Sequence, residues 1–429
     1  MDIVYERCCG LDVHKKTVVA CLITPAPVDG KSGASGVGGS GGPKKKIRSF
    51  GTMTDDLLAL ADWLAAAGCT HVAMEATGVY WKPLYNLLEG DFELLLVNPQ
   101  HVKQVPGRKT DAKDCEWLAD LLRHGLLRGS FVPDRPQREL RELTRYRTTL
   151  VRERSAEVNR LQKTLEGANV KLAAVASNVV GASGRAMLAA LVAGETDTEA
   201  MAQLAKGRLR EKRADLQRAL AGRMDAHQRF LLAQQLAHVE FLNGQIDRLS
   251  KEIASRLEPV EPALEVLQTI PGVGERTAQI LVAELGTDME RFPTAHHLAS
   301  WAGVCPGNNE SAGRRKSGRT RRGSPWLRAA LLESAHAAAH TKSTYLAAQY
   351  RRLAARRGKK RAAVAVAHTI LVIAHHLLRL LNRAGELGSY RELGADFFDN
   401  RDRQGLQRRL TRRLERLGFA VTVATTAPA

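Results

Sequence analysis

Two carboxylates stand three residues apart in the segment Lys109-Thr110-Asp111-Ala112-Lys113-Asp114. On a helix that spacing puts both on one face, where like charges repel unless a cation lies between them. Two further acids sit in apolar surroundings: Asp12 within Cys8-Cys9-Gly10-Leu11-Asp12-Val13, and Glu75 at the end of His71-Val72-Ala73-Met74-Glu75. Acids at the inner ends of two strands, joined by an acidic pair on a helix, form a donor set suited to two-metal phosphoryl transfer. Carboxylate oxygens favour hard Mg²⁺ or Mn²⁺ over zinc. Arg108 and Lys109 adjoin the pair and are placed to steady a phosphate, with solvated surface charge as the equal alternative.

A second dense segment runs from Ser300 to Arg328. Its Asn308-Asn309-Glu310-Ser311-Ala312-Gly313 stretch leads directly into Arg314, Arg315, Lys316, Arg319, Arg321 and Arg322, six cations within nine positions. Such a loop suits phosphate binding. It would also activate a serine hydroxyl and stabilise a pentavalent phosphate. From spacing alone, hydrogen bonding to phosphate is the stronger reading for Ser311. Upstream, Ile270-Pro271-Gly272-Val273-Gly274 reads as the turn of a helix-hairpin-helix. Gly272 and Gly274 permit a tight bend there, and the following helix start offers N–H groups to a phosphate.

The whole chain agrees with a polyanionic partner. It has 429 residues, a formal charge of +19 and a pI near 9.9. Nucleic acid fits that balance better than a membrane surface, because no apolar run reaches the ~18 residues needed to span a bilayer. The N-terminal residues lack the basic-then-apolar order of a signal peptide. The six cysteines show no CxxC pair and no metal spacing with histidine, so they read as reduced, buried thiols of a cytoplasmic protein.

Several elements must position these groups. Residues 7–23 read as two strands joined by a turn, and Ile47–Phe50 as a third. The Gly/Ser-rich stretch 29–43 between them reads as a flexible insertion. Thr54–Ala67 reads as a helix with Thr54 as its N-cap. A strand ending at Glu75, a helix over Tyr80–Leu88, a strand at Glu93–Val97 and the helix bearing Asp111 and Asp114 complete a mixed sheet with flanking helices. Beyond Pro136, leucines recur at helical spacing over Arg138–Leu165 and again from Leu232 to Leu257. The second run is close to a heptad seam. A long antiparallel helical hairpin is expected, with its seam paired against a second copy as the stronger reading and a solvated intramolecular hairpin without a partner as the alternative. The expected domains are therefore 1–135, an α/β catalytic domain; 136–261, an all-α coiled-coil and dimerisation region; 262–390, a mostly helical domain with the helix-hairpin-helix and serine loop; and 391–429, a basic tail.

Taken in order, Gly-Leu-Asp-Val-His-Lys-Lys (10–16), Met-Glu-Ala-Thr-Gly (74–78), Val-Asn-Pro (97–99), Lys-Thr-Asp-Ala-Lys-Asp (109–114), Ile-Pro-Gly-Val-Gly (270–274) and Asn-Asn-Glu-Ser-Ala-Gly (308–313) resemble the DEDD-type insertion-sequence transposases of the insertion sequence 110 family. The resemblance implies a ribonuclease-H-like N-terminal domain whose Asp12, Glu75, Asp111 and Asp114 bind Mg²⁺ or Mn²⁺. It also implies a C-terminal transposase domain in which Ser311 is the nucleophile. The implied partners are donor and target DNA, a structured noncoding bridge RNA and further copies of the chain, as a dimer or tetramer. The implied setting is the prokaryotic cytoplasm, at the nucleoid during activity. Two other classes fit the residues alone: a junction-resolving metal-dependent nuclease, and a non-catalytic basic coiled-coil RNA scaffold. The sequence departs from the family pattern at Ala312, where some members carry glycine.

Overall fold

The structure is a computed structural model and describes residues 2–25, 43–102, 114–307, 309–384 and 388–423. The chain divides into two compact units, Met1–Arg135 and Pro136–Ala429.

The first unit runs β1 (Cys8–Val13), β2 (Thr17–Thr24), β3 (Lys44–Gly51), α1 (Thr54–Ala66), β4 (His71–Glu75), α2 (Trp81–Leu88), β5 (Glu93–Val97), α3 (Pro99–Val102) and α4 (Asp114–Arg123). Its five strands lie in the order β3-β2-β1-β4-β5. The hairpin strands β1, β2 and β3 are antiparallel, whereas β1, β4 and β5 run parallel. This mixed sheet is compatible with a ribonuclease-H-like domain. Successive side chains alternate between its faces. Cys9, Leu11, Val72 and Met74 pack under α1 and α2. Cys8 and Ala73 pack under α4 with Cys115, Ala119 and Leu122. Thr54 is not the N-cap of α1: Met53 is, and it makes no side-chain cap bond. Asp55 and Asp56 in the first turn offset the helix dipole instead. The expected Gly/Ser insertion falls mostly outside the described residues.

The second unit begins with α5 (Arg135–Gly167) and returns along α10 (Ala226–Leu257). Between them lie α6 (Leu172–Val175), α7 (Ala182–Ala193), α8 (Thr198–Gln203) and α9 (Arg213–Leu220). Asp225 starts α10 with a reciprocal cap, accepting from Gln228 N at 2.7 Å while its own N–H donates to Gln228 Oε1 at 3.1 Å. The two long helices meet through Leu150 with Leu242 and Ile246. Their far ends, through Leu161, Leu165, Leu232 and Val239, pack onto a small helical cap formed by residues 168–220. Leu232, Val239, Leu242, Ile246, Ile253 and Leu257 of the seam are buried within the chain, where the intervening helices turn the two arms back on each other.

The C-terminal part comprises α11 (Glu261–Gln268), α12 (Glu275–Leu285), α13 (Ala295–Trp301), β6 (Asn309–Ser311), β7 (Arg314–Ser317), α14 (Pro325–His340), α15 (Tyr345–Arg357), α16 (Lys359–Ala384), α17 (Phe397–Arg401) and α18 (Arg403–Glu415). By length and composition, α16 is long and apolar enough to cross a membrane, contrary to the reading of the sequence. In the fold its Val366, Ile370, Leu371 and Leu378 stripe is buried in the core with Leu327, Leu331 and Leu298. The buried His375 places Nε2 3.2 Å from the Phe292 carbonyl, so it serves packing.

Candidate nucleic-acid processing site

Asp12 lies near the carboxyl end of β1, and Glu75 ends β4. The parallel register pairs Leu11 with Met74, so the next residue on each strand brings Asp12 and Glu75 level on neighbouring strands. Adjacent strands are about 4.8 Å apart, and residues level with each other in a parallel pair share a face. That face is the one covered by α4.

Gly10, two residues before Asp12 on the same face, explains how α4 can come so close. A Cβ there would stand 2.3 Å from the Cys115 carbonyl oxygen and 2.5 Å from Ala119 N. Because Cys115 lies over Gly10 and the Cys8 thiol donates to the Ala119 carbonyl at 3.7 Å, α4 runs antiparallel to β1. Its first residue, Asp114, therefore lies at the Asp12 end of the strand. The same nearness helps raise the Cys115 thiol pKa: burial is the main cause, with the negative charges of Glu116 and Asp12 adding to it. The positive end of the α4 dipole faces this edge and favours anionic groups there.

Asp12, Glu75 and Asp114 are thus gathered at one edge of the sheet. Asp111, Arg108 and Lys109 lie outside the described residues. Among the described residues no group of three or more His, Cys, Asp or Glu side chains is close enough to hold an ion by itself. The donor chemistry nevertheless fits: these are hard carboxylate oxygens, and Asp12 is 28% exposed and open to an incoming phosphate. The sequence reading missed one neighbour. His14, in the β1–β2 turn, sets Nε2 3.1 Å from Asp12 Oδ2. It was present in the 10–16 motif, but only the turn back into β2 brings it onto the carboxylate.

The serine segment is a hairpin rather than an open loop. Gly307 N donates to the Arg319 carbonyl at 2.9 Å, and Pro306 bridges to Thr320. Arg328 donates Nη1 to the Gly303 carbonyl at 2.9 Å and to Thr320 Oγ1 at 2.7 Å, closing the base. At the tip, Ser311 pairs with Arg314 across Ala312 and Gly313, whose φ values are 50° and 71°. Two positive φ values in a two-residue connection define a type I′ turn, which matches the twist of the strands it joins. Ser311 is therefore the last residue before the bend. Arg314, Arg319, Arg321 and Arg322 are exposed on this arm. The side chains of Ser311, Arg315 and Lys316 are outside the description.

The Pro-Gly-Val-Gly turn does join two helices, α11 and α12. Gly272 has φ 87°, and a Cβ there would meet the Ser334 carbonyl oxygen of α14 at 2.4 Å, so its role in the fold is close packing. Gly274 faces open space and precedes the exposed Glu275 at the first position of α12. A phosphate approaching that helix end would meet a carboxylate.

Comparison with known proteins gives the class first. A family profile named DEDD Tnp IS110 and described as "Transposase" matches residues 9–170, spanning β1 through α5. A second, described as "Transposase IS116/IS110/IS902 family", matches residues 264–351, spanning the turn, the serine hairpin and α14. The chain belongs to the IS110 family of insertion-sequence transposases, and so to the DNA-processing enzymes. Among its relatives is the "Probable family 20 transposase" of Pseudomonas aeruginosa, 27% identical over 270 residues, which are 62% of this chain and 70% of that one. The "Transposase for insertion sequence element IS1111A" of Coxiella burnetii is 27% identical over 315 residues, 70% of this chain and 75% of that one. A 44.8 kDa protein of insertion element IS116 from Streptomyces clavuligerus is 30% identical over 259 residues, 52% of this chain and 62% of that one.

Proposed function

We propose that this transposase cuts and rejoins DNA strands with two groups of residues. Asp12, Glu75, Asp111 and Asp114 hold Mg²⁺ or Mn²⁺, and Ser311 supplies the nucleophile. The observation that carries the reading is the level placement of Asp12 and Glu75 on neighbouring parallel strands, with the N-terminus of α4 at the same edge. When bound, the ions supply charge neutralisation and polarisation of a phosphodiester. The chain's own residues do the rest. His14 orients the Asp12 carboxylate. Arg314, Arg319, Arg321 and Arg322 neutralise backbone phosphates along the arm that carries Ser311. The serine oxygen bonds to phosphorus, one DNA oxygen leaves with the proton, and the reverse step joins a new strand end. The two residue groups are expected to come from different subunits of an oligomer. Guidance by a structured noncoding RNA is proposed from the motif resemblance, supported by the +19 charge.

The test is a denaturing gel of DNA incubated with the protein, Mg²⁺ and the noncoding RNA of its element. A covalent protein–DNA band that disappears in both Ser311→Ala and Asp12→Asn is expected. Continued nicking by Ser311→Ala without any covalent band would replace the serine with metal-activated water. Unchanged DNA processing by Asp12→Asn would refute a role for the acids.

A further inference from the structure

In a chain with an excess of 19 positive charges, one groove carries only negative ones. It has a volume of about 540 Å³ and lies along the end of α10, α11 and the start of α12. Glu258, Glu261, Glu265 and Glu275 line it over an apolar floor that includes Leu257 and Leu264, and no basic residue borders it among the described residues. None of Glu258, Glu261 and Glu265 makes an ion pair there among the described residues. The groove also contains a buried acceptor with nothing to accept from. Gln279 is 2% exposed and donates Nε2 to Glu275 Oε1 at 2.9 Å, yet its Oε1 has no hydrogen-bond partner among the described residues. A buried carbonyl oxygen left unpaired is costly, so it marks a place where a donor is missing.

The same chain carries an element of the opposite character. The 13-residue helix α18 has no buried residue. Leu406, Leu410 and Leu414 recur every four positions and form one apolar stripe, and Leu410 and Leu414 are 51% and 42% exposed. Arg409 and Arg413 edge that stripe on one side, and Arg408 and Arg412 lie on the opposite face of the helix. Among the described residues the helix is held at its root: Tyr345 meets Phe397 of α17 edge-on and stacks on Phe398, each at 5.1 Å, and Arg352 lies over Phe398. An apolar stripe edged by Arg409 and Arg413 matches an apolar floor between glutamates, and guanidinium groups complement the carboxylates of the groove.

We propose that the acidic groove of α10, α11 and α12 receives the arginine-rich helix α18 of a second copy of this chain. The exchange links subunits through their C-terminal arms and does not depend on the catalytic proposal. It also gives the hairpin face beside Gly274 a protein partner rather than a phosphate.

Sedimentation of the full chain over a range of concentrations tests it. Reversing the groove (Glu258, Glu261 and Glu265 to Arg) or the arm (Arg408, Arg409, Arg412 and Arg413 to Glu) is expected to weaken self-association by on the order of tenfold or more. Combining the two reversals is expected to restore it, with circular dichroism confirming the folded state of each. In a Cys305→Ser background, Ser255→Cys copies mixed with Leu414→Cys copies are expected to form a disulfide between chains. Self-association untouched by either reversal overturns the proposal. So does a disulfide that forms only within one doubly substituted chain, which would mean the arm folds back on itself. Loss of nucleic-acid retention by the arm variant with association intact would assign α18 to nucleic acid instead, and also overturns it.

Discussion

Gly10 in β1 lies directly against the carbonyl of Cys115 in α4, with 2.3 Å between that oxygen and the position a Cβ would take. This contact sets the height of α4 above the sheet and brings Asp114 to the Asp12 edge. Gly10→Ala forces backbone against backbone, which no side-chain rotation relieves. A loss of about 1–3 kcal/mol in unfolding free energy is expected, measured by denaturant titration. DNA processing should fall further than stability alone explains, because the acids are pushed apart.

Gly272 and Gly274 separate packing from recognition. Gly272→Ala places a methyl 2.4 Å from the Ser334 carbonyl at a positive φ, whereas the same change at Gly274 meets open space. Thermal melts should show Gly272→Ala destabilised by about 2 kcal/mol or more, and Gly274→Ala close to the parent. A large loss at Gly274 would contradict this account of the turn.

At the tip of the serine arm, Ala312 holds φ 50°. An L-residue with a side chain pays roughly 1 kcal/mol for that region. Ala312→Gly removes the strain but adds freedom to the unfolded chain, so a gain of up to about 0.5 kcal/mol or no change is expected. Ala312→Val should open the hairpin, because a β-branched residue does not tolerate positive φ. Limited proteolysis between residues 309 and 317 would show faster cleavage in the valine variant only.

Glu284, 1% exposed, ties three elements together. Arg145 of α5 donates Nε and Nη2 to its two carboxylate oxygens at 2.7 and 2.9 Å, and the α14 cap Ser324 donates at 3.1 Å. Arg145→Ala leaves a buried charge with one weak partner and should cost about 3 kcal/mol or more. Arg145→Ala combined with Glu284→Gln should recover part of that loss. A double variant no more stable than the single one would contradict the ion-pair account.

Burial raises the thiol pKa of Cys8 to about 11, and those of Cys21 and Cys69 to about 12. Raised values mean that these three thiols stay almost wholly protonated below pH 9 in the folded chain. All six cysteines are free, and only Cys305 is partly exposed. Thiol titration at pH 8 should therefore find at most one reactive group in the native protein and six after denaturation. Rapid reaction of more than one native thiol would contradict the packing of the sheet.

Much of this molecule was legible from local pattern. The strands carrying Asp12 and Glu75 follow from β-branched and apolar runs, and the two long helices from leucine spacing. The family follows from an ordered set of short motifs. These are properties of neighbours in the chain, and dihedral preference and side-chain periodicity encode them directly. Where the seam leucines find their partners was not legible, since a heptad stripe is equally satisfied by another helix of the same chain or of another. Nor were the I′ turn that puts Ser311 beside the bend, the contact of His14 with Asp12, or the gathering of negative charge in one groove of a basic protein. Those depend on which residues, distant in sequence, are brought within a few ångströms by packing. Only the closed core, by fixing the height of α4 over Gly10 and the return of α10 along α5, decided them.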